Sequence, residues 1–310
     1  QILGRDYINI ENIKEGDEVI GDDGNLHKVT FKFESPYTDK MYTINSINRI
    51  PVDATKEHPF HVIKKFQRGN RSKNKNEIIS KPKWTEAQNL QVGDYVGTPI
   101  IKPTVLRTLL PVDRLGSFSR DVILDDKFAR FLGYYVGNGY SVNHPSVNRI
   151  AVCFNLKHKD KIEDCRSIMT DIFGKHVFER VDHNYIHLGI HDNQLKDFFH
   201  LHCGEDVYSK KIPNFILHHE NEEFLRQFLI GYLRTDGTVM ISKGVTRGIS
   251  YSTVSRTLAL QTQAALLRLG GLPGIKIKPS CTTIFPNGKE YNCRESYSIQ
   301  CSSKLVMDKL

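Results

Sequence analysis

Two stretches of this chain repeat one pattern: Phe131-Leu-Gly-Tyr-Tyr-Val-Gly-Asn-Gly139 and Leu229-Ile-Gly-Tyr-Leu-Arg-Thr-Asp-Gly237. Each is apolar, carries glycine in third place, and closes on a polar residue followed by glycine. Phe128, Phe131, Leu132, Tyr135 and Val136 recur at the helical period, so the first copy predicts a helix with one buried face. Gly133 and Gly137 stand four apart, and Gly231 and Thr235 hold the equivalent places in the second copy. Small residues at that spacing let two helix backbones approach closely, despite a propensity cost of up to about 1 kcal/mol per glycine. Paired in this way, the helices would bring Asn138 and Asp236 together at their carboxyl ends. A duplicated unit about a pseudo-twofold axis is the expected architecture.

Strands are expected after each helix, over residues 147–156, 177–180 and 185–190 in the first unit and 237–252, 275–284 and 291–301 in the second. Helices should intervene at 159–173 and 255–269, the latter opening on Ser/Thr caps and closing at Gly270. Residues 1–103 read differently, as short alternating strands broken by Gly, Asp and Asn. Ile13-Lys-Glu-Gly-Asp-Glu-Val19 and Leu90-Gln-Val-Gly-Asp-Tyr-Val96 repeat one turn, in which glycine tolerates positive φ and aspartate bonds the backbone. Asp23-Gly24 reads as a hairpin turn. Thr55 precedes His58 by three residues, so it can hold an imidazole placed to protonate a leaving amide nitrogen.

At 310 residues, with 39% hydrophobic and 10% aromatic residues, the chain has material for about two packed domains. No apolar run is long enough to span a membrane and no secretory signal is evident, so a non-secreted, cytoplasmic protein is expected, nuclear in a eukaryote. The six cysteines contain no Cys-x-x-Cys pair, which favours reduced thiols. His183, His187 and His191 share a parity but lack partners at ligand spacing, so they read as a polar strand face and not a zinc site. A net charge of +8 and a pI near 9.0 favour a polyanionic partner. Much of that excess lies between Lys64 and Lys83, either a solvated insertion or a DNA-touching arm.

These motifs carry two resemblances. Residues 1–103, with Thr55 and His58, resemble the amino-terminal part of the Hint fold of protein-splicing elements (inteins), which implies a curved all-β horseshoe. The family opens on Cys or Ser and closes on His-Asn; this chain opens on Gln1 and stops at Leu310, so the polypeptide alone is expected not to splice. Residues from about 125 to 305, within an expected domain over 125–310, resemble the LAGLIDADG (DOD-type) homing endonucleases found inside inteins, through both nine-residue motifs, Lys210-Lys-Ile-Pro213 and the 252–270 segment. The implied fold is an incomplete Hint horseshoe, a linker over 104–124, and an α+β endonuclease of two αββαββα units acting as a monomer.

The second resemblance implies metal-dependent cleavage of double-stranded DNA, with Mg²⁺ or Mn²⁺ near Asp236, Asn138, Gly137 and Thr235. An acid at a helix carboxyl end is poorly placed unless a cation joins it. Asn138 stands where the family has the second acid and offers a neutral carbonyl, so impaired cutting is expected. Lys289, Lys276 and Lys278 are candidates near the scissile phosphate, or else solvated strand lysines. Arg149, Arg180, Arg247 and Arg294, with Lys276 and Lys278, are candidates for reading DNA. In the precursor, flanking exteins would be partners. The alternatives are a catalytically inactive DNA-binding module and a splicing-element remnant.

Overall fold

A computed structural model describes residues 2–3, 7–64, 81–103, 124–144, 147–173, 177–284 and 288–310. Gln1, most of the basic 64–83 stretch and the expected linker up to 123 lie outside the described residues.

The first part is all β. Strands β1 (Ile2–Leu3) and β2 (Tyr7–Ile8), β3 (Glu18–Ile20) and β4 (Leu26–Lys28), and β5 (Tyr42–Ile44) and β6 (Val52–Ala54) form two-stranded ribbons. β7 (Pro59–Ile63) lies between β8 (Lys83–Glu86) and β9 (Tyr95–Val96). The repeated turns form as expected. Gly16 and Gly93 take φ of 93° and 101°, and Asp17 and Asp94 each accept the backbone N–H three residues earlier, at 2.9 Å. Gly24, at φ 80°, closes the β3–β4 hairpin.

The second part is two copies of one topology. The first copy runs α1 (Asp126–Asn138), β10 (Gly139–His144), β11 (Val147–Asn155), α2 (Lys159–Phe173), β12 (Phe178–Asp182), β13 (Tyr185–His191) and α3 (Asn193–Cys203). A short α4 (Asn214–Leu217) leads to the second: α5 (Glu222–Asp236), β14 (Gly237–Ser242), β15 (Val245–Thr253), α6 (Arg256–Arg268), β16 (Gly274–Lys278), a hairpin of β17 (Cys281–Ile284) and β18 (Glu290–Cys293), β19 (Ser296–Cys301) and α7 (Lys304–Lys309). The sheet orders are β10-β11-β13-β12 and β14-β15-β19-β16, the same winding twice once the hairpin is set aside.

Alternation fixes which face of each sheet is buried. Ile150, Val152, Phe154, Ile186, Leu188 and Ile190 are buried in the first sheet, and Ile249, Tyr251, Ile275, Tyr297 and Ile299 in the second. Both sets join one core with the apolar faces of α1 and α5. α6 shows why its boundaries were readable: the Ser255 hydroxyl accepts from Leu258 N at 3.1 Å. Gly270, at φ 87°, ends the helix with Gly270 N–H on Leu267 O and Gly271 N–H on Leu266 O. The first part docks on the second unit, where Asn48 O accepts Ile275 N–H at 2.9 Å.

Two expectations need correction. The strands read over 275–284 and 291–301 are each broken, at Pro279 and at Arg294–Glu295, and the outer pieces pair with each other as a separate hairpin. The first sheet also has an edge strand, β10, that the 147–156 reading left out.

Candidate functional site

Helices α1 and α5 position the site. Asp125 caps α1 through Phe128 N (2.7 Å) and Asn221 caps α5 through Glu223 N (3.0 Å). Their glycines meet reciprocally. A Cβ on Gly133 would lie 2.7 Å from Tyr232 N and closer still to Phe228 O. One on Gly231 would lie 3.0 Å from Tyr134 N and closer still to Arg130 O. At the carboxyl ends a Cβ on Gly137 would collide with the Thr235 side chain. The helix ends therefore touch, and each helix runs straight into the first strand of its own sheet.

Two adjacent pockets open there. One, of about 320 Å³, is lined by Asp236 of α5 and Gly137 of α1, with Lys210, Ser252 and Ser296. The other, of about 290 Å³, is lined by Asn138 of α1 and Thr235 of α5, with Lys161, Asn155 and Arg234. Each tip residue thus faces its own pocket beside the penultimate residue of the other helix. The sequence reading grouped Asp236, Asn138, Gly137 and Thr235; the structure puts all four at the touching helix ends, divided between two adjacent pockets.

The two tips differ chemically. Water reaches Asp236, yet the packed helix ends raise its pKa by desolvation, with the Lys210 charge pulling the other way. Exposure decides access, so the carboxylate can meet a ligand. Asn138 donates its Nδ2 N–H to Cys153 O at 2.9 Å. A carboxylate could not make that bond and would set oxygen against oxygen. The amide is therefore fitted to its place.

Lys210 is the residue that sequence reasoning missed as a member of the site, although it stood in a quoted motif. It is 7% exposed and donates to the carbonyls of Tyr135 and Gly139, each at 2.7 Å. Its position is set from α6: Ser255 Oγ donates to Lys210 O (2.6 Å), and Ile212 N–H donates to Gln261 Oε1 (2.7 Å). The ammonium thus caps the negative end of α1 beside Asp236. Burial pushes its pKa down to about 8, against the pull of Cys203 and Asp236. Lys161, in the other pocket, is also lowered by desolvation.

A pH dependence follows for Lys210. Between pH 8 and its unfolded value of 10.5, the unfolded chain holds a proton that the folded chain has shed. Stability should rise with pH across that window and be flat for this group below it. The difference in unfolding free energy between the parent protein and Lys210→Met should shift in the parent's favour by about 2–3 kcal/mol from pH 8 to 10.5. Urea titrations of both proteins across the window check it; parallel curves would refute it.

The outer sheet faces hold most of the DNA-reading candidates. Register puts Arg149 opposite His191 and Arg180 opposite His187, so all four share the outer face of the first sheet. Tyr140 Oη bonds His187 Nδ1 at 2.9 Å, and Arg149 lies over the Phe178 ring at 5.3 Å. His183 is instead in the β12–β13 turn, at φ 50°. Lys276 and Lys278 lie with Ser298 and Ser296 on the outer face of the second sheet. Arg247 is the extra residue of a bulge in β15, where pairing skips from Gly248 to Thr246. Arg294 lies between strands, over the Tyr208 ring at 4.7 Å, and Lys289 stands just before β18; neither lines the two pockets.

In the first part, Thr55 and His58 form the turn between β6 and β7, with His58 N–H donating to Thr55 O at 3.1 Å. The exposed His58 ring packs edge-on against Phe60 at 5.2 Å.

Residues 223–292, from α5 into β18, match the family described as LAGLIDADG-like domain. Over 285 residues the chain is 26% identical to an iron-sulfur cluster assembly SufBD family protein of Mycobacterium bovis, covering 87% of this chain and 31% of that protein. It is 25% identical over 269 residues to the ATP-dependent DNA helicase Hel308 of Methanocaldococcus jannaschii, covering 85% of this chain and 19% of the helicase. The chain thus spans about a third or less of the length of these curated relatives. Among solved structures, the homing endonuclease I-DmoI in complex with DNA and Ca is similar with a TM-score of 0.41 and 13% identity, over 59% of this chain and 86% of that one.

Proposed function

We propose that this chain grips double-stranded DNA along its two outer sheet faces and cuts one strand beside Asp236, with the Asn138 half-site impaired. The observation that carries this reading is the α1–α5 pair, whose touching ends open two half-sites that are equivalent in topology but unequal in charge. Because both units lie in one chain, a monomer suffices.

The residues present suit a divalent cation recruited with DNA. Asp236 supplies a carboxylate and Asn138 Oδ1 a carbonyl, both hard oxygens. Among the described residues no three His, Cys, Asp or Glu form a cluster. Mg²⁺ characteristically takes one or two carboxylates and completes its shell with water and substrate phosphate, so this sparse donor set fits it better than a cage-bound ion. When bound, such an ion supplies Lewis-acid stabilisation of the phosphodiester and activates water. The chain's own part is to hold the Asp236 charge at the helix junction, to place the Lys210 ammonium beside it, and to offer lysines and arginines to phosphates.

We also assign the first part to a Hint-type splicing domain. The paired Gly-Asp turns and the Thr55–His58 turn support this reading, and the curated relatives bear on whether the whole stretch is an insertion. Two proteins with unrelated names each contain a stretch similar to most of this chain, as an inserted element would produce. A DNA-binding module without cleavage is the second reading, favoured by the amide-specific bond of Asn138.

The test incubates the protein with Mg²⁺ and a duplex spanning the rejoined insertion point of its host gene. A single nick is expected, and binding should fall steeply with salt in proportion to the phosphates neutralised. Retardation without any break would support the module. Full-speed cutting of both strands would overturn the reading of Asn138.

A further inference from the structure

The second unit carries an element the first lacks. β12 and β13 are joined by a two-residue turn at His183 and Asn184, whereas the equivalent connection from β16 to β19 is extended by the β17–β18 hairpin. Among the described residues that hairpin pairs with no other strand, and all of β17 and most of β18 are exposed. A lone two-stranded ribbon is marginal in water, and a short exposed one specifies its register weakly.

The register places Cys281 directly opposite Cys293, at the end of the ladder nearest the body of the protein. Directly opposed residues project to the same face, with Cα atoms about 4.5–5.5 Å apart. That falls within the roughly 4.4–6.8 Å that a disulfide spans. Access separates this pair from the three buried thiols, and register separates it from the half-buried Cys153, which stands opposite His187 and not another cysteine. Cys281 is exposed and Cys293 half-buried, while Cys165, Cys203 and Cys301 are buried. Burial raises the pKa of Cys165 and pushes that of Cys203 up to about 12, which keeps those two protonated and inert.

We propose that Cys281 and Cys293 are a reversible thiol–disulfide pair that staples this hairpin in register. The thiolate of one cysteine attacks a sulfur of a low-molecular-weight disulfide such as oxidised glutathione, forming a mixed disulfide and releasing one small thiol. The thiolate of the second then attacks the protein sulfur of the mixed disulfide and expels the other small thiol. The two cysteine protons and two electrons end on the two released thiols. On the DNA-binding reading, the staple holds Lys289, beside the hairpin tip, on a fixed arm; the staple itself does not depend on that reading.

The sequence makes the test direct, because Lys289 lies between the two cysteines and trypsin separates them. The protein is incubated with oxidised glutathione or with dithiothreitol, digested without reduction and analysed by mass spectrometry. The oxidised sample should yield one Cys281–Cys293 linked peptide pair, absent after dithiothreitol. Hydrogen exchange at the ladder-bonded amides, which are those of either Thr282 and Asn292 or Thr283 and Tyr291, should slow by roughly a hundredfold in the linked protein, as expected for closing a loop of this length. Cys281→Ser and Cys293→Ser should each leave one glutathione-capped thiol and fast exchange. Glutathione on both cysteines together, links to other cysteines, or unchanged hairpin exchange in the linked form would each overturn the proposal. No step uses DNA, so failure here leaves the nuclease reading untouched.

Discussion

Gly231→Ala is expected to destabilise the protein by about 3 kcal/mol or more, the upper range for overpacking. In an isolated helix the same change would be favourable by up to about 1 kcal/mol, because alanine loses less backbone entropy. The sign reverses here because the new Cβ would meet the Arg130 carbonyl and the Tyr134 amide, which are backbone and cannot rotate aside. Relief requires the helices to separate, and their apolar faces supply the centre of the core. Gly133→Ala should cost a similar amount through Phe228 O. The double variant should lose clearly less than the two costs added, since one separation of the helices relieves both collisions. Denaturant melts of the three variants decide the matter. Neutral single variants, or strictly additive losses, would mean the helices are not in backbone contact.

What sequence could show divides along the range of the interactions. α2 appears at 159–173 as expected, because its apolar residues recur at the helical period and need no distant partner to be recognised. Likewise, the reciprocal glycines could be inferred because the duplication displayed them twice. β10 was hidden: it is an edge strand whose residues, Gly139-Tyr-Ser-Val-Asn-His144, show no clean apolar alternation. The β17–β18 hairpin was merged into its neighbours because Pro279 and Glu295 weaken a strand pattern without revealing which strand the next piece pairs with. Lys210 illustrates the sharpest limit. A lysine in Lys210-Lys-Ile-Pro213 looks like any surface lysine, and only the fold shows that its partners are the carbonyls of Tyr135 and Gly139. Asn138 lay between these cases. Its identity signalled an uncharged tip, but the Cys153 carbonyl that makes an amide fit there is supplied by a neighbouring strand.

Asp236→Asn should reduce Mg²⁺-dependent nicking by roughly a thousandfold or more, the equivalent of several kcal/mol of lost charge stabilisation at the reacting phosphate. DNA retardation in a chelator should survive, because the lysines and arginines of the outer faces are untouched. The converse change, Asn138→Asp, separates two effects that activity alone would confuse. Without divalent ion the variant loses the Cys153 bond and sets a carboxylate against that carbonyl, a penalty of about 1–3 kcal/mol. With the ion present the carboxylate gains a partner, so the melting temperature of Asn138→Asp should rise with Mg²⁺ by more than that of the parent. If the rest of the half-site is intact, nicking should then extend to the second strand. A variant whose melting ignores Mg²⁺ and whose second strand stays whole would show that the Asn138 pocket has lost more than one charge. A parent protein whose nicking survives Asp236→Asn would remove Asp236 from the chemistry altogether.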